Sequence, residues 1–279
     1  MRLLSFEQEW TKRYPTRLQV LRYLREAAGV KEVNYKDLTL STLSTFQDIL
    51  LERLAQNSAQ VYCAILKAFL GEIEEEVKLP TSKFRKALSI RKVPSEQVIL
   101  SEEEIARIEA YAPKSNHERW VKAQFLCEYY CMARTSDIKL LTEENIRGGF
   151  ITYVSKKTKT LTSVPLHRNF MKYFSERGET MMPMTFNRII KRICKNVGIT
   201  EEVKLFYHGR TVRVPKYKLV ASHTARRSAA SELARRNVPI STISQLMNHG
   251  GRITTTQRYI FADTRNLGEE AMSFFRNKR

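Results

Sequence analysis

Little in this chain suits disulfides, a bound metal or a membrane. Four cysteines occur in 279 residues (Cys63, Cys127, Cys131 and Cys194), in apolar, helix-like contexts and without CxxC spacing. They read as reduced core thiols in a cytosolic protein, not as a disulfide framework or a zinc site. No apolar run approaches the roughly 18 residues that span a bilayer. The opening Met1–Trp10 segment also brings Glu7 and Glu9 too early for a secretory leader. There is no internal repeat, no low-complexity tract, no P-loop and no acidic cluster spaced for a two-metal site; no cofactor is expected. Scarcest of all is negative charge. The chain carries 29 Asp+Glu against 48 Lys+Arg, a net +19, which points to a polyanionic partner. Residues 1–100 hold 16 basic and 12 acidic side chains, and the remainder 32 and 17. Solvated helix faces do not explain such an excess in one part of the chain, and with membranes set aside, nucleic acid is the partner expected.

The first ninety residues read as helices. Arg17 to Ala28 is one, with Leu18, Leu21 and Leu24 at spacing three. Leu40 to Ala55 is a second, capped by Ser41 or Ser44. A third starts at Ser58, with Val61, Ile65 and Phe69 on one face, widened by Tyr62, Leu66 and Leu70. The stretch Lys78–Pro94 combines two prolines with six basic residues, Lys83, Arg85, Lys86, Arg91 and Lys92 among them. It cannot be one continuous helix and reads as a basic connector. The expected organisation is a helical domain over 1–92, a linker over 93–99 and a second domain over 100–279. That second domain opens on a capping box, Ser101 with Glu104. Helical pattern continues through Trp120–Tyr130 and Ser136–Leu141. The period then switches to two: Phe150–Ser155 and Thr160–Leu166 flank Lys156-Lys157-Thr158-Lys159, a hairpin with a lysine-rich tip. Helices resume near 169–176 and 185–197, Phe206–Arg213 is a short hairpin or loop, and four short helices start near His223, Ile240, Thr254 and Leu267.

The chemistry gathers in a few places. On a helix, His223 and Arg226 project from one face, and small neighbours (Ala225, Ser228, Ala229, Ala230) allow close packing. Arginine grips phosphate oxygens in a fork, and histidine donates or shuttles a proton. Taken alone, such a pair is an ordinary surface feature. Here it is preceded by Cys131-Met132-Ala133-Arg134 and the lysine-tipped hairpin, and followed by Leu246-Met247-Asn248-His249 and Thr254-Thr255-Thr256-Gln257-Arg258-Tyr259.

This ordered set, from about residue 98 to 262, resembles the tyrosine recombinase (phage integrase) family. The run Pro215–Arg227 looks closest to integrases of Bacteroidetes mobile elements and their phages. The resemblance implies a mainly α fold: a small all-helical core-binding domain, then a mostly helical catalytic domain with a small β-sheet or hairpin. It implies a site-specific DNA recombinase that cuts and rejoins strands through a 3′-phosphotyrosyl bond, for integration, excision or inversion. Tyr259 matches the nucleophile. Arg134 and Arg226 match the pair that binds the non-bridging oxygens. His223 and His249 match the residues that hydrogen-bond the phosphate and assist proton transfer, and Lys157 matches the acid for the leaving 5′-oxygen. Alternation along the strand places Ile151, Tyr153, Ser155 and Lys157 on one face, with Lys156 and Lys159 as alternatives. Asp137 matches an acid that supports the fold or orients the site. Lys83, Arg85, Lys86, Arg91, Lys92, Lys156, Lys159 and Arg227 are expected on DNA.

The implied partners are double-stranded DNA and three further copies of the chain, a homotetramer on two DNA sites, with the 270–275 segment as an apolar anchor. The implied location is the bacterial cytoplasm, on the nucleoid or phage-encoded in a bacterial host. No separate arm-binding domain is expected ahead of the core-binding helices. Two features depart from the family: Cys131-Met132 stands where Thr-Gly is common, and His249 to Tyr259 spans ten positions rather than nine, with Gly250-Gly251 absorbing the extra residue. The rival readings are a type IB topoisomerase, against which the N-terminal helices speak, and a catalytically idle DNA-binding protein, which has no need of the full set of active-site residues.

Overall fold

Helix caps and buried faces divide the chain into two compact units, residues 1–95 and 96–279. The computed structural model describes residues 5–93, 97–179, 181–207, 210–249 and 253–257.

The first unit comprises α1 (Phe6–Arg13), α2 (Leu18–Ala28), α3 (Leu40–Arg53), α4 (Gln56–Ile73) and the single turn α5 (Phe84–Ala87). Helix α1 is absent from the sequence expectation; it starts on a capping box between Ser5 and Gln8 and buries Phe6 and Trp10. Both rings meet Phe69 edge-on, at 5.5 and 5.2 Å. Helix α2 closes on Gly29 in the left-handed conformation, φ 68. Thr39, not Ser41 or Ser44, caps α3, because the helix already begins at Leu40 and the Thr39 hydroxyl accepts from the Thr42 N–H. Helix α4 begins two residues earlier than expected. Its buried stripe runs Ala59, Cys63, Leu66, Phe69 and Leu70, Ile73, leaving Val61 exposed. The basic stretch folds back on this unit: Phe84 and Leu88 join its core, and Asn57 exchanges two hydrogen bonds with the Val93 backbone, 2.8 and 3.0 Å.

The second unit contains α6 (Glu102–Ala110), α7 (Asn116–Cys131), α8 (Thr135–Ile138), β1 (Ile146–Arg147), β2 (Phe150–Val154), β3 (Leu161–Pro165), α9 (Phe170–Ser175), α10 (Pro183–Asn196), β4 (Glu202–Tyr207), β5 (Arg210–Pro215), α11 (Ser222–Arg235), α12 (Ile240–Leu246) and α13 (Ile253–Gln257). Helix α7 is the axle, with most of its side chains buried. Helix α11 packs beside it through the small residues Ala225, Ser228, Ala229 and Ala230, all buried. Strands β1, β2 and β3 form one antiparallel sheet in that order, and β4 and β5 a separate hairpin. In β2–β3, Ile151 pairs with Val164 and Tyr153 with Thr162; these four turn inward, as period-two alternation requires. All four cysteines are free and buried. Among the described residues no helix is long and apolar enough to cross a membrane.

Candidate active site

Two left-handed turns place one arginine and one histidine. Helix α7 stops at Met132, whose φ of 51 reverses the chain and delivers Arg134 to the start of α8. The turn geometry therefore survives without glycine. Helix α12 ends similarly at Asn248, φ 50, which delivers His249. The arginines brace these turns against each other. Arg226, buried at 1% exposure, donates from Nη1 to the Met132 carbonyl and from Nη2 to the Met247 carbonyl. Arg134 donates from Nη2 to the Asn248 carbonyl (3.2 Å) and from Nη1 to Ser155 Oγ (3.2 Å). Its Nη1 lies 3.9 Å from Asp137 Oδ2. Asp137 is buried, accepting from Ser155 Oγ at 3.1 Å and from the Lys156 N–H at 2.9 Å. It thus anchors both Arg134 and the β2–β3 turn, a geometry that suits orientation.

His249 Nε2 lies 3.2 Å from Arg226 Nη2, and Nδ1 lies 3.0 Å from Thr256 Oγ1 on α13. A guanidinium carries only donors, so Nε2 accepts and Nδ1 bears the proton. Burial, then the charges of Arg226, Arg134 and Lys157, press the His249 pKa down to about 4. His223 occupies the first turn of α11 on the face of Arg226. Its side chain is exposed, yet partial desolvation and the charges of Arg227, Arg226, Arg134 and Lys157 also hold it below its usual value. Both imidazoles are thus held toward the neutral form. Glu128 on α7 is buried, accepts from Gln124 at 3.0 Å, and is pushed up to about 8 by burial. A protonated Glu128 leaves the Arg226 charge that acts on it undiminished.

The β2–β3 turn holds the lysines. Strand β2 ends at Val154, so the alternation that buries Ile151, Tyr153 and Ser155 stops before Lys157, which is exposed in the turn. The charge of Lys157 is among those acting on both histidines. Lys156 is exposed, with its backbone tied to Asp137. Lys159 is left-handed, φ 57, and bonds back to the Ser155 carbonyl at 2.9 Å.

Arg134, Asp137, Lys157, His223, Arg226 and His249 thus surround one place. Arg227 is half-buried beside them. Tyr259 lies outside the described residues, as do the helix expected near Leu267 and the 270–275 anchor. In the first unit Lys83, Lys86, Arg91 and Lys92 are exposed, whereas Arg85 is ion-paired with Glu74 and lies over the Phe84 ring at 4.6 Å. Sequence reasoning missed Asn248 and Thr256 as site residues. The only signal for Asn248 was asparagine's tolerance of the left-handed region. A cleft of about 470 Å³ between α6, α7, α11 and the segment before α9 is lined by none of the six clustered residues. The cluster itself suits an extended anion more than an enclosed small molecule.

Residues 173–265 match the phage integrase family model. They include His223, Arg226, His249 and Tyr259; Arg134 and Lys157 precede them. No curated protein matches the chain in sequence. Among solved structures, a lambda integrase dimer bound to a COC' core site is similar at TM-score 0.69 and 16% identity, covering 94% of this chain and 97% of that one. The Tn1549 transposon integrase in complex with transposon right end DNA is similar at 0.65 and 14%, covering 98% and 99%. The XerH site-specific recombinase bound to a palindromic difH substrate is similar at 0.64 and 14%, covering 93% and 78%. Residues 173–265 thus match the phage integrase family model, and the chain has the fold of the lambda and Tn1549 integrase structures.

Proposed function

We propose that this chain is a tyrosine-type site-specific DNA recombinase, with Tyr259 as the nucleophile and Arg134, Arg226, His223, His249 and Lys157 as its phosphate site. The observation that carries the reading is the convergence of both arginines, both histidines and Lys157 from four separate segments. The Tyr259 phenol oxygen attacks a DNA phosphorus, and neutral His223 takes the phenol proton. Charge grows on the non-bridging oxygens, and the Arg134 and Arg226 guanidinium groups stabilise it. The bond from phosphorus to the 5′-oxygen breaks, Lys157 supplies the leaving oxygen's proton, and a 3′-phosphotyrosyl bond remains. The phosphodiester's energy is kept in that bond, so religation by the reverse path needs no ATP.

The partner is duplex DNA, consistent with the +19 charge and with the DNA-bound state of the similar structures. A homotetramer on two sites is the assembly we propose, by analogy with the lambda integrase tetramer on a Holliday junction. The helical unit 1–95 acts as a core-binding unit, with Lys83, Lys86, Arg91 and Lys92 toward the DNA backbone. The test is a suicide substrate that traps the cleaved state: wild type forms a covalent adduct and Tyr259→Phe forms none while keeping its DNA affinity. DNA binding without any adduct in the wild type supports an idle binder instead, and an adduct mapped to another tyrosine refutes the assignment.

A further inference from the structure

Asn248 does more than turn the chain into His249. Its side chain is buried and reaches across to the β2–β3 hairpin, more than eighty residues away in sequence. Oδ1 accepts from the hydroxyls of Thr158 (2.9 Å) and Thr160. Nδ2 donates to the Thr160 carbonyl (3.3 Å) and to Thr162 Oγ1. The Thr160 carbonyl can only accept, which sets the orientation of the amide, and all four of its hydrogen-bonding positions are used. Meanwhile the Asn248 carbonyl accepts from Arg134. One residue therefore joins the loop of His249, the first arginine, and the tip and outgoing limb of the lysine turn. Thr158 follows Lys157 directly, and Lys157 itself is exposed at the turn. Thr162 is buried in β3 opposite Tyr153, so the tie reaches from the tip into the sheet.

We infer that Asn248 is a positioning residue, whose side-chain amide holds the β2–β3 turn so that Lys157 stands over the arginine–histidine cluster. The left-handed backbone by itself needs only glycine or asparagine; the four bonds need asparagine. Aspartate would lose both donations and set a carboxylate against the Thr160 carbonyl. This inference rests on the recombinase reading, in which Lys157 protonates the leaving oxygen.

The test compares two suicide substrates, one with the ordinary bridging 5′-oxygen and one with sulfur there, since a thiolate leaves without a proton. Asn248→Gly keeps the turn's backbone and removes the amide. It is expected to slow cleavage of the oxygen substrate by about 10- to 100-fold, part of the ~10²–10⁴-fold a general acid contributes. The sulfur substrate should be cleaved within about threefold of wild type, with DNA affinity unchanged, and Lys157→Ala with Asn248→Gly should be no slower than Lys157→Ala alone. Thr162→Val, which removes an acceptor without changing shape, should fall between wild type and Asn248→Gly, and carries the same test should Asn248→Gly fail to fold. Equal slowing on both substrates, multiplicative losses in the double variant, or no slowing at all would overturn the inference alone. A wild-type chain that cleaves neither substrate would overturn the recombinase reading with it.

Discussion

His249 gives a quantitative link between the site's charge and its stability. Its pKa falls from the usual 6.5 to about 4 because the ring is buried among Arg226, Arg134 and Lys157. The folded chain therefore binds this proton more weakly than the unfolded chain does. Above pH 6.5 both states are neutral and the residue adds no pH dependence. As pH falls from 6.5 toward 4 the unfolded state protonates first, and stability is lost by about 3 kcal/mol at full extent, at ~1.4 kcal/mol per pKa unit. His223, also depressed, adds loss of the same sign. His249→Gln sets an amide oxygen where Nε2 accepts from Arg226 but cannot titrate. Its stability at neutral pH should drop by only about 1 kcal/mol for the lost Thr256 contact, and its acid-side decline should be shallower. Urea titrations of both proteins between neutral and acidic pH measure the difference; parallel profiles would refute the account. A DNA phosphate beside Arg226 supplies the opposite charge and raises the His249 pKa. DNA binding at mildly acidic pH should thus take up protons in wild type and fewer in His249→Gln, by calorimetry in buffers of different ionisation enthalpy.

Lys157→Ala should slow cleavage on a bridging 5′-oxygen by about 10²–10⁴-fold but far less on sulfur, while Lys156→Ala and Lys159→Ala show small, equal losses on both substrates; sulfur rescue at either of those would move the acid. Glu128, raised to about 8 from the usual 4.5, is protonated in the folded state, so its burial costs stability increasingly as pH rises between those values. Glu128→Gln should therefore raise the melting temperature more at about pH 8.5 than at about pH 5, and the reverse order would refute a neutral carboxyl. Affinity for a duplex carrying the target should fall with salt at a log–log slope on the order of −0.9 per phosphate neutralised. A salt-independent affinity would count against a phosphate-binding surface.

Local signals were legible wherever the physics is local. The Ser101–Glu104 capping box opens α6, and the period-two alternation around the lysine run is the β2–β3 hairpin. The small residues after His223 are the packing face of α11. Element ends were less legible, because a cap depends on which neighbouring hydroxyl the backbone meets: Thr39 serves α3 although Ser41 and Ser44 looked equally suitable. Helix α1 went unread since its stabilisation comes from Phe6 and Trp10 packing on Phe69, far along the chain.

The sequence by itself determined the residue types of the site and their order, along with the net positive charge that draws a polyanion. Charge and hydrogen-bonding chemistry belong to side chains wherever they lie. Tertiary structure alone decided that Arg226 is buried against two backbone carbonyls, that the pKa values of both histidines are depressed, that a charge on Lys157 reaches them, and that Asn248 ties the lysine turn to the cluster. Burial and proximity depend on segments distant in sequence meeting in space. Those two quantities set a pKa or aim a lysine, and no local pattern carries them.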